Sequence, residues 1–157
     1  MLHEFGEKYV LRYVTCRFGT IFGTSVGMRF HTAVNKFCWQ AVMGQPLTVW
    51  KTAMDQKRPY LGVNDAVRAI KFIIEKDLFS GDNYNIVSSN YTVRDIIDSI
   101  RKSIPTLRVD LVESEIMNQL SYNVSAEKFN KHDFVFRRNI HSDLLNTIQL
   151  LKNTNNF

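Results

Sequence analysis

The chain has 157 residues, of which 45% are hydrophobic, and a formal net charge of +5. That length is enough for one domain with its own core, and that apolar content excludes a disordered or fibrous chain. No apolar run approaches the roughly 18 residues of a membrane span, and no Lys/Arg run reaches the about five of a nucleic-acid patch, so neither partner is expected.

The first eight residues, Met1-Leu2-His3-Glu4-Phe5-Gly6-Glu7-Lys8, carry charges where a signal peptide is apolar, which leads to the expectation of a cytoplasmic protein. They read as the end of a helix. Residues 9–18 are rich in β-branched and aromatic side chains on both faces, the pattern of a strand buried on both sides in a parallel sheet. Such a strand needs neighbours, and the rest of the chain offers few. Residues 19–29 hold Gly19, Gly23 and Gly27 and read as a loop. An amphipathic helix is expected over 30–43, with Ala33, Val34, Phe37, Cys38, Ala41 and Val42 on one stripe and Gly44 just past its end. Cys16 and Cys38 are too few for a disulfide framework and read as buried free thiols.

Pro46 introduces a short strand over 47–50, and 58–63 is extended. Asn64 or Asp65 is expected to cap a helix ending near Lys76, with Val67, Ile70, Phe72, Ile73 and Ile74 mostly inward. Ser80-Gly81-Asp82-Asn83 is a turn before a strand over 84–87. Thr92 followed by Asp95 is close to a capping box for a helix over 93–103, which Pro105 stops. A strand over 107–112, a short helix capped by Ser125 and a last helix from about Ser142 complete a mixed α/β layout without internal repeats.

Three ordered stretches carry a family likeness. One ends Cys16-Arg17-Phe18-Gly19-Thr20-Ile21-Phe22-Gly23. Another runs Gly44-Gln45-Pro46-Leu47-Thr48-Val49 and resumes at Lys57-Arg58-Pro59-Tyr60-Leu61-Gly62-Val63-Asn64-Asp65. The third is Tyr84-Asn85-Ile86 with Tyr91-Thr92-Val93, then residues 122–128. In order and spacing they resemble the C-terminal part of the extended short-chain dehydrogenase/reductases, the NAD-dependent nucleotide-sugar epimerases and dehydratases. The resemblance implies an α/β fold: residues 1–28 as the end of a Rossmann-like domain, 29–152 as a small mixed α/β substrate-binding domain, and 153–157 as a frayed tail. It also implies NAD(P) as the cofactor of the complete enzyme and a nucleotide-diphosphate sugar as the substrate.

Two hallmarks of that family are not found. Its cofactor half opens on a glycine-rich strand-to-helix turn that meets the dinucleotide pyrophosphate; none of the seven glycines here has that spacing. Its acid–base pair is Tyr-x-x-x-Lys, and none of Tyr9, Tyr13, Tyr60, Tyr84, Tyr91 or Tyr122 has a lysine four residues on. In the family the helix bearing that pair precedes the strand matched by residues 9–18, so Met1 is expected just past the catalytic lysine. The expectation is a substrate-binding portion with no catalytic residue and no cofactor of its own. The alternative is a non-enzymatic module that pairs with a separate cofactor-domain chain or with a second copy of itself.

By the resemblance, Arg58 grips the diphosphate; its guanidinium is always charged, donates in parallel to phosphate oxygens, and is biased to extended backbone by Pro59. Thr20 stands where many relatives carry a sugar-contacting asparagine. Asn118 and Tyr122 fall near the nucleoside, with Leu120 in place of a common arginine. Thr32 lies near the start of the helix that flanks the pyrophosphate. His3, His31, His132 and His141 share no metal-ligand spacing, though His31 sits in the substrate loop. Asn90-Tyr91-Thr92 and Asn123-Val124-Ser125 match the glycosylation triplet, which without a secretion signal reads as chance. Trp39 and Trp50 read as core.

Overall fold

The computed structural model describes residues 2–113, 121–137 and 139–154. In chain order the elements are α1 (Leu2–Tyr9), β1 (Thr15–Phe18), β2 (Thr20–Phe22), α2 (Ala33–Val42), β3 (Leu47–Trp50), β4 (Lys57–Gly62), α3 (Val63–Glu75), β5 (Asn83–Ile86), β6 (Ser89–Thr92), α4 (Val93–Arg101), β7 (Val109–Val112), α5 (Glu127–Asn130) and α6 (Ile140–Thr154). A 3₁₀ turn, Lys51–Ala53, links β3 to β4.

Three small sheets result. β1 pairs in parallel with β5, and β3 in parallel with β7. Between them β4 is central, parallel to β2 on one edge and antiparallel to β6 on the other. β1 passes straight into β2 through Gly19, whose N–H donates to the Ile86 carbonyl at 3.0 Å. A side chain at Gly19 would press to 3.1 Å on the Pro59 carbonyl group, so the close approach of β2 to β4 favours glycine there.

Successive residues of a strand face opposite ways, and β4 uses this to separate two cores. Tyr60 belongs to a core in which α2, α4 and α6 pack over β3, with Val34, Phe37, Ile96, Ile100, Leu144 and Ile148 interlocked. Leu61 belongs to the other, where Ala66, Ala69 and Ile73 of α3 meet Tyr84 and an aromatic cluster. Phe134 lies 4.9 Å from both Phe129 and Phe136, ring centre to ring centre.

Several elements match the residue pattern. β3 falls where expected, and Gly44 follows α2 with φ +66°, the left-handed end that glycine permits. The Thr92–Asp95 capping box forms in both directions: Asp95 N–H donates to the Thr92 hydroxyl at 3.1 Å, and Thr92 N–H to the Asp95 carboxylate at 2.8 Å.

Others differ. The strand expected over 9–18 is shorter and less buried: α1 runs to Tyr9, β1 starts at Thr15, and Val10, Leu11 and Phe18 are exposed. Among the described residues β1 has only β5 beside it, so its other edge is unpaired. The loop expected over 19–29 contains β2, which forms because β4 supplies a parallel partner. β6 was likewise not expected. On α3 the inward stripe is Ala66, Ala69 and Ile73, while Val67 and Ile74 are each 62% exposed. The helix carries two apolar stripes, and the small alanines win the inner face because they let it lie close to the strands.

Neither Asn64 nor Asp65 caps α3; Gly62 holds that position without a side-chain bond. Asp65 is instead 4% exposed. Its carboxylate accepts from the Ser88 hydroxyl at 3.0 Å, the Arg137 N–H at 3.0 Å and the Arg68 guanidinium at 2.6 Å. A buried carboxylate has to be satisfied in this way, and here it ties α3 to the β5–β6 connection and to the segment entering α6. Asn139, not Ser142, opens α6 by accepting the Ser142 N–H at 2.9 Å. The Ser125 hydroxyl accepts the Glu127 N–H at 3.2 Å ahead of α5, whose capping position is Ala126. α6 continues to Thr154; residues 155–157 lie outside the described part.

Thr92→Ala removes one half of the reciprocal cap and is expected to cost about 1 kcal/mol in chemical denaturation. Asp143, half-buried at the start of α6, has its carboxyl held above the ordinary range, by burial first and then by the charge of Asp65, against the pull of Arg137. The unfolded carboxyl ionises first as pH rises, so stability is lost between its ordinary pKa and the raised folded value. Asp143→Asn is therefore expected to melt above the wild type at neutral pH. The gap should close below the ordinary carboxylate range; a variant that melts lower at neutral pH would refute this account.

Candidate functional site

Two cavities open side by side over β2, β4 and the start of α2, and His31 lines both. The first, of about 410 Å³, is walled by the end of β2, the glycine loop after it and the first turn of α2. Its shape depends on Asn35, a buried residue that the sequence reading passed over. The Asn35 side chain accepts the Gly23 N–H at 3.2 Å and donates to the Arg29 carbonyl at 3.0 Å, pinning both ends of the loop. Gly23 sits at φ +110°, which side-chain-bearing residues rarely adopt. Thr20 and Thr32 both line this cavity. Thr32 is the N-cap of α2, yet its hydroxyl caps nothing and is buried without a partner among the described residues. A hydroxyl left unpaired at a helix N-terminus is an available donor and acceptor beside a weakly positive helix end.

The second cavity, of about 390 Å³, lies over β3 and β4, with Lys36, Trp50, Gln56, Arg58 and Tyr60 among its lining residues. Arg58 and Tyr60 are two apart on β4 and so face the same way. The Arg58 guanidinium donates to the Gln56 side-chain oxygen at 3.0 Å and to the Lys57 carbonyl at 3.1 Å. The Tyr122 ring covers it at 5.1 Å, a cation–π contact. Burial pushes the Tyr60 hydroxyl above its ordinary pKa, with the Arg58 charge acting the other way, so it stays protonated at neutral pH. No Asp or Glu lines either cavity among the described residues, whereas Lys36, Arg58 and Arg29 do. The electrostatic preference is for an anion.

Of the residues singled out in the sequence, the structure thus gathers Thr20 and Thr32 in one cavity and Arg58 with Tyr122 at the other. Asn118 lies outside the described residues. Trp50 differs from its expected core role: it is 48% exposed on the cavity wall. Gln56 and Tyr60 were also missed. Both flank Arg58 in sequence, but nothing in the pattern says that the 3₁₀ turn brings Gln56 onto the guanidinium. Cys38 is fully buried, and burial pushes its thiol up to about 12, which excludes a thiolate nucleophile near neutral pH. Among the described residues no three His, Cys, Asp or Glu side chains come together as a metal site. Asn90, in one of the glycosylation-like triplets, is engaged on both sides of its amide by the Val124 backbone.

The chain is 36% identical over 76 residues to the chloroplastic UDP-sulfoquinovose synthase of Spinacia oleracea, a match covering 47% of this chain and 16% of that one. It is 27% identical over 119 residues to the UDP-sulfoquinovose synthase of Sulfolobus acidocaldarius, covering 66% of this chain and 30% of the other. The UDP-glucose 4-epimerase of Thermus thermophilus, solved in complex with NAD, superposes with a TM-score of 0.80 at 20% identity over 96% of this chain. This chain spans 50% of that solved chain, and at such identity the likeness speaks for the fold alone. The model of the NAD dependent epimerase/dehydratase family matches residues 1–87, more than half of the sequence, and the chain belongs to that family.

Proposed function

We propose that this chain is the substrate-binding side of a nucleotide-sugar epimerase or dehydratase and that by itself it binds a nucleotide-diphosphate sugar without transforming it. The observation that carries the reading is Arg58, braced by Gln56 and covered by Tyr122 at an acid-free cavity that shares His31 with a second one. A guanidinium held in this way suits a diphosphate, which accepts paired hydrogen bonds and is dianionic. The hydroxyls of Thr20 and Thr32 next door suit a sugar ring. The names of the relatives point to UDP-sugars as the substrate class.

The residues present do not fit NAD(P). A dinucleotide pyrophosphate needs a glycine-rich turn between a strand and a helix N-terminus. Among the described residues, β4 runs directly into α3 and β6 directly into α4, and the loop from β2 to α2 has no G-x-G-x-x-G spacing. With no Tyr-x-x-x-Lys either, no proton or hydride step is assigned to this chain. A cytoplasmic location goes with the reading; among the described residues no helix is long and apolar enough to cross a membrane.

A second reading, a module that pairs with a separate cofactor-domain chain or with a second copy, is favoured by one feature. β1 has only β5 beside it among the described residues; its own Phe18 is exposed, as are Val10 and Leu11 before it and Ile21 after it. Unpaired strand edges attract strands. A clean monomer in size-exclusion chromatography with a cooperative melt would count against this reading.

Calorimetric titration with UDP-glucose is expected to show binding that weakens as salt is raised. Arg58→Ala should weaken it about tenfold or more, and Arg58→Lys should restore only part, because an ammonium lacks the paired donors. Unchanged affinity in Arg58→Ala would overturn the diphosphate assignment. Incubated with NAD and UDP-glucose, the chain is expected to give no product; measurable turnover would overturn the binding-only assignment.

A further inference from the structure

Residues 121–125 adopt no regular secondary structure, yet they cross three strands in a fixed register. The Lys57 N–H of β4 donates to the Ser121 hydroxyl at 3.0 Å, and the Tyr122 N–H donates to the Lys57 carbonyl at 3.3 Å. On β6 the Asn90 side chain accepts the Val124 N–H at 2.9 Å and donates to the Val124 carbonyl at 3.0 Å. On β5 the Asn85 amide donates to the Ser125 carbonyl at 3.0 Å. Four of the five residues are exposed, Tyr122 at 51%. Apolar burial therefore contributes little to holding the segment, and its position is decided by these hydrogen bonds.

Asn90 is the centre of the arrangement. It engages the donor and the acceptor of a single residue together, as a neighbouring strand would. Only a carboxamide offers both at that spacing; a hydroxyl or a carboxylate does not. Its place in the sheet matters as well. Asn90 pairs with Pro59 across the antiparallel β4–β6 ladder, one residue from Arg58. The strap that it clamps carries Tyr122, whose ring lies on the Arg58 guanidinium.

We infer that Asn90 is a positioning residue for the anion site: by clamping Val124 it holds the Tyr122 ring against Arg58 and so sets where that cation points into the cavity. The effect on ligand rests on the reading of the cavity as a nucleoside-diphosphate site. The effect on the Arg58–Tyr122 pair does not, since it is present in the free protein. Gln56 braces one side of the guanidinium from the same strand connection, and Tyr122 closes the other from a segment more than 60 residues away in sequence. Without the clamp, the first brace remains and the second is held only through the Ser121 and Tyr122 bonds to Lys57, which leaves the ring looser on the guanidinium.

The test uses the wild-type chain, Asn90→Ala, Tyr122→Leu and the double variant, with thermal melts to establish that each is folded. In free protein the Arg58 Nε–Hε resonance is expected to carry a ring-current shift from Tyr122, whose ring centre lies 5.1 Å from the guanidinium carbon. Tyr122→Leu should abolish it, and Asn90→Ala should reduce it, the Lys57 bonds to Ser121 and Tyr122 keeping the remainder. Titrated with UDP, Asn90→Ala is expected to bind roughly five- to tenfold more weakly than the wild type, and the double variant no more weakly than Tyr122→Leu alone. An Arg58 resonance unmoved by Asn90→Ala, or additive losses in the double variant, would overturn the inference. Should Asn90→Ala fail to fold, Asn90→Thr, which suits a strand and keeps one hydroxyl, provides the same two readouts. A wild-type chain that does not bind UDP would instead refute the ligand reading, and the free-protein resonance would still decide the role of Asn90.

Discussion

The constraint on which the structure depends is the pairing of β4 on both of its edges. β2 lies parallel to it with Thr20 against Tyr60, and β6 antiparallel with Tyr91 against Arg58. Because side chains alternate along a strand, this single element delivers Tyr60 to one core and Leu61 to the other, and Arg58 to the same side as Tyr60. Both cavities inherit their position from this arrangement. The first forms where β2 leaves the sheet and the second forms over the face that carries Arg58 and Tyr60.

Around that strand, buried or half-buried polar side chains organise backbone that no sheet or helix controls. Asp65 gathers Ser88, Arg68 and the Arg137 N–H; Asn35 fixes the loop after β2; Asn90 clamps the strap that carries Tyr122. Each satisfies groups that would be costly to leave unpaired in a low-dielectric setting. The division of labour is physical: apolar packing sets where the helices sit, and short polar side chains set where the irregular segments sit. The candidate site joins both kinds: strands and α2 carry Thr20, Lys36, Arg58 and Tyr60, and hydrogen-bonded irregular segments close the loop after β2 and bring Tyr122 to Arg58.

The apolar surface left in the open has the same origin. α3 presents Ala66 and Ala69 to the strands because small residues permit close approach, and this turns Val67, Ile70 and Ile74 outward. β1 contributes exposed Phe18 beside Ile21 of β2. A two-stranded parallel pair has no second layer of its own, and parallel sheets are ordinarily covered on both faces.

The sequence by itself determined what local chemistry decides. The Thr92–Asp95 cap, the left-handed Gly44 after α2, the strand over 47–50 and the ordered motifs that place the chain in its family are all readable within a few residues. Arg58 was singled out as a diphosphate ligand by the family resemblance, and its fixed charge and its place before a proline suit that role. What only the tertiary structure decided depends on partners far along the chain. β2 and β6 exist because β4 lies between them, and the inner face of α3 was chosen by the space beneath it, not by its apolar period. Trp50 lines a cavity because nothing in the described fold closes over it. The placing of the Thr20–Thr32 cavity beside the Arg58 cavity, with His31 lining both, follows from the pairing of β2 with β4, and the laying of Tyr122 on that arginine by a clamp at Asn90 follows from hydrogen bonds across tens of residues. No local pattern encodes them, because the energy that fixes them arises only once the strands have paired.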